Sequence, residues 1–129
     1  MLQDKEITVN ELLGYIRSGQ KNFCRIEVLD IGEVKGEVCD DIVFKECGMA
    51  VDFSGSSFRN AKFIDCNIKT CSFKNTDLTN AEFIGNGVCS VEFYNAQIEG
   101  ILFQNNYWHG FELTQEDIMR MVREEFYVE

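Results

Sequence analysis

The residues of this chain that could do chemistry are few: Cys24, Cys39, Cys47, Cys66, Cys71, Cys89 and a single histidine, His109. A thiolate is both a metal ligand and a nucleophile, and an adjacent imidazole can lower a thiol pKa enough to activate it. Metal binding asks for closely spaced pairs such as Cys-x-x-Cys; none occurs, and with one histidine no metal site and no cofactor is expected. Cys89 and His109 lie twenty residues apart, with Lys69 twenty before Cys89. If the chain repeats every twenty residues, these three share one outward column about a strand separation apart, and a thiol-dependent enzyme is the chemistry they would support. Catalysis also needs a pocket with an oxyanion donor or an orienting carboxylate. Neither is evident, so an ordinary surface column is the competing reading.

Whatever positions that column must come from the stretch Val51–Leu113. Every fifth residue there is large and apolar: Phe53, Phe58, Phe63, Ile68, Phe73, Leu78, Phe83, Val88, Phe93, Ile98, Phe103, Trp108 and Leu113. Two residues before each stands a smaller one, such as Ser56, Ala61, Cys66, Cys71, Thr76, Ala81, Asn86, Val91, Ala96 and Asn106, with Phe111 the exception. Two positions in five therefore point inward. Cys66 and Cys71 fall in the small inward slots, where a thiol serves as a small hydrophobe. A period of five fits neither a helix nor an alternating strand. It fits a solenoid, in which each coil's interior is the floor of the next.

A step of twenty gives the columns Phe53/Phe73/Phe93, Phe63/Phe83/Phe103, Phe58/Leu78/Ile98 and Ile68/Val88/Trp108, whereas fifteen mixes residue types. Four sides per coil are favoured, and three such coils at ~4.8 Å each make a rod segment about 15 Å long. Two residues after each central residue comes a turn former: Gly55, Asn60, Asp65, Thr70, Asn75, Asn80, Gly85, Ser90, Asn95, Gly100, Asn105 and Gly110. Those are the residues that tolerate the left-handed backbone a corner needs. Asn86 and Asn106 break the small apolar rule. Two inward amides must bond to each other or to a corner backbone group.

The units Ala61-Lys62-Phe63, Thr76-Asp77-Leu78, Ala81-Glu82-Phe83 and Ala96-Gln97-Ile98 follow the pattern A-(D/N)-(L/F)-x-x, and in this the stretch resembles the pentapeptide-repeat family. The resemblance implies an all-β solenoid, the right-handed quadrilateral β-helix. It also brings an alternative function, because some members bind DNA gyrase or topoisomerase IV as acidic, DNA-like rods and protect against quinolones.

The 129 residues, 45% hydrophobic, read as one domain with a buried core. No basic-then-apolar leader opens the sequence and no apolar run approaches a membrane span, so a cytoplasmic protein with reduced cysteines and no membrane partner is expected. A net charge of −10 argues against direct nucleic-acid binding. Nor is the acidity gathered on the rod: residues 1–50 hold ten acids and six bases, 51–113 seven and four, 114–129 five and two. Arg59, Lys62, Lys69 and Lys74 interrupt any phosphate-like stripe. DNA mimicry would then require an end-to-end dimer.

Flanking the rod, Thr8 and Glu11 form a capping box for a helix over 9–18 with Val9, Leu12, Leu13 and Ile16 on one face and Gly19 as its stop. Its expected task is to cover the first coil. Residues 23–50 read as an irregular first coil: Ile42/Phe44 and Cys47/Met49 sit one residue out of register with Phe23 and Val28, so a bulge is expected around 31–41. A second helix over 114–129 opens on Thr114 and Asp117. Its apolar residues Ile118, Met119, Met121, Val122, Phe126 and Tyr127 either cap the last coil or join a second copy of the chain, as the resemblance implies. On the rod's exterior, Ile64 and Ile84 stack with Leu102 beside them, which marks a protein-partner patch or an isoleucine ladder that merely favours strand geometry. The function expected is a non-enzymatic protein-interaction rod or scaffold. The acidic topoisomerase binder and the thiol enzyme are the alternatives.

Overall fold

The computed structural model describes residues 1–124. Its elements are β1 (Leu2–Ile7), α1 (Val9–Arg17), β2 (Asn22–Val28), β3 (Gly32–Glu33), β4 (Val43–Lys45), β5 (Val51–Asp52), β6 (Lys62–Ile64), β7 (Glu82–Ile84), β8 (Leu102–Gln104), β9 (Asn106–Trp108), β10 (Phe111–Leu113) and α2 (Gln115–Met121). The backbone winds as a four-walled parallel β-solenoid. Wall one is a continuous six-stranded parallel sheet, β1-β2-β4-β6-β7-β8, so five turns connect its strands. Phe63 pairs with Phe83 and Phe83 with Phe103, each twenty residues on. Four left-handed residues turn the corners of one coil, Gly55, Asn60, Asp65 and Thr70, and the same positions recur in each later regular coil.

Register puts like on like. Phe53, Phe73 and Phe93 stack with ring centroids 5.6 and 5.5 Å apart, and Phe23, Phe44, Phe63 and Phe83 stack at 4.8, 5.2 and 4.8 Å. The two columns meet edge to face, as Phe63 and Phe73 do at 80°. Each fully buried ring contributes about 1.5–3 kcal/mol, and nearly all lie at 0–2% exposure. The core therefore fills by repetition.

Corners close in two ways. At most of them the N–H three residues after the central residue donates to its carbonyl, as Ser56 does to Phe53, Ala61 to Phe58 and Cys71 to Ile68. The outward residue before the centre supports the turn: the side chains of Asp52, Asn67, Ser72 and Asp77 accept from the N–H of Ser54, Lys69, Lys74 and Thr79. The corner after wall one lacks the backbone bond, and an inward side chain from the next coil substitutes for it. Asn86 accepts from the Cys66 N–H and donates to the Phe63 carbonyl, both at 2.8 Å. Asn106 accepts from the Asn86 N–H at 3.0 Å and donates to the Phe83 carbonyl at 2.8 Å. The two amides also bond to each other at 3.0 Å, so both expected kinds of partner occur. Lower in the column thiols do the work: Cys47 accepts from the Ile26 N–H and Cys66 donates to the Phe44 carbonyl. Cys66 is thus more than the small hydrophobe the sequence suggested.

Several features differ from the sequence reading. β1 was not anticipated; it pairs with β2 and adds a turn in which α1 replaces the remaining walls. The register slip is an extra residue between Val28 and Val34, undone between Met49 and Phe53: Phe23 and Phe44 are 21 apart, Phe44 and Phe63 only 19. Around the extra residue Leu29 and Ile31 are thrown outward, 63% and 86% exposed. The rod does not run regularly to Leu113. After Trp108, two successive left-handed residues, His109 and Gly110, reverse the chain, and β10 returns antiparallel to β9. Phe111 would otherwise enter a slot filled in earlier coils by Val51, Cys71 and Val91, where a phenylalanine overpacks. It lies 75% exposed instead, while Trp108 and Leu113 are half-buried.

Asp77 is held below the usual carboxylate range first by the Thr79 hydroxyl; burial pushes it up, but the Thr79 N–H and Arg59 add to the hydroxyl and outweigh that. Asp52 is also lowered: burial pushes it up, but the Ser54 hydrogen bonds and Lys35 outweigh that. A carboxylate depressed on folding adds stability that is complete above its unfolded pKa and lost as pH falls through the folded value. Stability should therefore hold from neutral pH to about pH 5 and decline below about pH 4, with a shallower acid decline in Asp77→Asn, measured as urea midpoints across that range; equal slopes would contradict the assignment. Asn86→Val, which orphans two backbone groups, should lose about 2–5 kcal/mol. Asn86→Cys, copying Cys47 and Cys66, should lose less. A Val variant as stable as wild type in urea melts would contradict the bridging role.

Candidate functional site

A filled solenoid has no central cavity, so function must lie on its walls or ends. On wall one the outward residues flank the buried phenylalanines in two columns. Ile64 pairs directly with Ile84, and Gln104 follows. Leu102 stands in the other column, beyond Lys62 and Glu82, and thus one column and one coil away from Ile84. The sequence reading missed Val43, which shares that column with Lys62. All four apolar residues are half-buried, and the Lys62 ammonium lies 3.9 Å from the Glu82 carboxylate between them. Val43 was legible only once the 19-residue step was known.

The column Lys69, Cys89, His109 forms as the spacing suggested, but what reaches Cys89 is backbone. The His109 N–H donates to Cys89 Sγ at 3.1 Å, and the imidazole sits 6.4 Å from the Trp108 ring at 67°. Cys89 is half-buried, whereas Cys24, Cys39, Cys47, Cys66 and Cys71 are buried. Burial pushes Cys39 up to about 12, and Cys71 likewise to about 12. The Cys66 thiol is raised by its contact with Cys47 and then by burial. Among the described residues no three His, Cys, Asp or Glu side chains gather where they could hold a metal ion, and no helix is long and apolar enough to cross a membrane.

Charges on the walls are largely paired. Arg59 meets Asp77 at 3.0 Å, Lys35 meets Glu33 and Asp52 at 3.1 and 3.4 Å, and Arg17 meets Glu37 at 3.0 Å. Arg25 bonds to Asp4 and lies 3.7 Å from Glu46. Such exposed pairs contribute little stability. They do interrupt any continuous acidic stripe.

At the C-terminal end, α2 lies across the last coil. Ile118 is fully buried, Met121 and Val122 pack on the core, and Met119 is 49% exposed. Phe126 and Tyr127 lie outside the described residues. Gln115 acts as a piece of strand: its Oε1 accepts from the Phe103 N–H at 3.2 Å and its Nε2 donates to the Ile101 carbonyl at 3.1 Å. The Val122 carbonyl likewise accepts from Asn95 at 2.8 Å. Between α2 and the last rung of wall four, the wall centred on Phe58, Leu78 and Ile98, a cleft stays open, lined by Ile98, Glu99, Ile101, Gln115 and Met119 among others. Nothing in the sequence pattern distinguished this rung from those beneath it.

The family model described as Pentapeptide repeats matches residues 52–85, in 8 copies. Among solved structures, the chain is similar to a pentapeptide repeat protein, Rfr23, from the cyanobacterium Cyanothece 51142, with a TM-score of 0.55, 14% identity and 83% of each chain covered. No curated protein matches the sequence. At that identity the structural likeness speaks for the fold alone, and the repeat match supplies the sequence signature. With both in hand, the chain carries pentapeptide repeats over residues 52–85, the middle of a solenoid similar in fold to that of a pentapeptide repeat protein.

Proposed function

We propose that the chain is a non-enzymatic protein-interaction rod that presents wall one to a protein partner. What supports this reading is the placement of Ile64 and Ile84 in one outward column of the six-stranded sheet, with Val43 and Leu102 in the next. Stacked apolar residues on a rigid, flat surface suit docking, because the partner need not order the surface it binds. Lys62 and Glu82 within the patch would set register more than affinity. Catalysis finds no support in the outward columns, where the half-buried thiol of Cys89 meets a backbone N–H and not the imidazole. An acidic topoisomerase-binding surface is likewise not proposed, since three of the seven carboxylates in residues 51–113, Asp52, Asp77 and Glu82, have cationic neighbours that break up a continuous acidic stripe.

The discriminating experiment is capture of partners from native lysate by the wild type and by Ile64→Lys/Ile84→Lys. The double variant should fold, because both residues face outward, and should lose the specific partner. Identical partner sets for the two proteins would remove wall one as the site.

A further inference from the structure

In a solenoid each rung donates and accepts hydrogen bonds in both directions along the axis, so the terminal rung carries a row of groups with nothing above it. On wall four the pattern is regular. The Phe58 and Asn60 N–H groups donate upward to the Asp77 and Thr79 carbonyls, and those of Leu78 and Asn80 to Gln97 and Glu99, at 2.7–3.0 Å. In the other direction Asp77 donates to the Ser56 carbonyl and Gln97 to that of Thr76. One rung later the equivalent groups are the Ile98 N–H, the Gly100 N–H and the Ala96 carbonyl. Among the described residues none of the three has a protein partner. Elsewhere on this end the edge is closed in part, by Gln115 over Ile101 and Phe103 and by the Val122 carbonyl over Asn95; among the described residues the Phe93 N–H and the Val91 carbonyl of the neighbouring wall are bare as well, but no cleft opens above them as it does above Ile98.

The side chains tell the same story. Ile98 follows Phe58 and Leu78, both fully buried, yet is itself only half-buried. The cleft above it, about 530 Å³, is within the size range of pockets that hold a ligand. Its apolar lining includes Ile98, Ile101 and Met119, and Glu99 stands at its rim, exposed and without an ion-pair partner among the described residues.

We propose that this rung is a strand-addition site for an extended segment of a partner protein, in which a small residue, any residue, an apolar residue and a basic residue follow in order. The small residue lies over Ala96, in the column of Ser56 and Thr76. The next residue donates its N–H to the Ala96 carbonyl and accepts from Ile98. The apolar side chain covers Ile98, and the basic residue accepts at its carbonyl from Gly100 while its cation meets Glu99, much as Lys62 lies against Glu82 one coil away. Backbone pairing supplies affinity and the side chains supply register. Charge selects the occupant: a basic segment suits Glu99, whereas the chain's own last residues, 125–129, carry Glu125 and Glu129 and no base. The site is separate from the wall-one patch.

The test uses the full chain and fluorescein-labelled peptides centred on serine, threonine, phenylalanine and arginine, read by anisotropy, with amide exchange of Ile98 and Gly100 followed by NMR. The in-register peptide should bind and slow both amides. N-methylation of its threonine nitrogen, or glutamate in place of its arginine, should weaken binding about tenfold or more, and Glu99→Lys should reverse the charge preference. Ile64→Lys/Ile84→Lys should bind the peptide as the wild type does, so either reading can fail alone. Equal binding by the N-methylated peptide, absence of binding by every peptide, or Ile98 and Gly100 amides already protected in the free protein by its own tail or a second copy would each overturn the proposal.

Discussion

Between the corners, the backbone polar groups of these walls must find their partners one coil away, and that single requirement fixes the step at 19 to 21 residues. Once the step is fixed, side chains have no freedom over whom they meet. Phenylalanine lands on phenylalanine, a turn former lands on a turn former, and the interior is filled by repetition more than by a search for complementary shapes. The cost falls at the corners, where left-handed backbone is needed even at Thr70, a β-branched residue with φ 63°. Asparagine, aspartate and glycine carry most of the others at less strain.

The same requirement explains the inward asparagines. Where a corner lacks its internal backbone bond, two polar groups would be buried unpaired, and an amide reaching down from the next coil supplies one donor and one acceptor at once. Cys47 and Cys66 are weaker versions of the device in the earlier coils. Among the described residues no buried side-chain polar atom is left without a partner. At the ends the ladder stops, and the chain answers with α1, with a hairpin, and with a glutamine posing as strand. Among the described residues, wall four of the last coil is left without an answer, and the outer surface is otherwise free to vary.

Much of this was legible because a solenoid writes its geometry into sequence with short range. The period of five gave the inward positions, the turn formers gave the corners, and the two capping boxes marked where α1 and α2 begin. What escaped depended on departures from the period. β1 holds no repeat of its own, with Asp4, Lys5 and Glu6 along its exposed length, and takes its place only by pairing with β2. The slip was visible at Phe44 and Met49, and the range 31–41 expected for it only overlaps the true place between Val28 and Val34, since an extra residue leaves no mark beyond displacing the residues after it. Leu113 kept the period while leaving the rod, because one added left-handed residue, His109, turns a corner into a reversal. The wall-one patch was read from Ile64, Ile84 and Leu102. Val43 was hidden behind the 19-residue step, and the bare rung at Ile98 could not be seen at all, because its sequence is that of an ordinary repeat.

The account stands or falls on coil-over-coil stacking, and the most direct measurement is a set of amide and α-proton NOEs on isotope-labelled protein in solution. It predicts contacts twenty residues apart in each regular wall, Lys62 with Glu82, Phe63 with Phe83 and Ser72 with Glu92, and the 21- and 19-residue contacts of Phe44 with Phe23 and Phe63. Contacts between the same groups at fifteen residues, or the three- and four-residue contacts of a helix through residues 51–104, would contradict it.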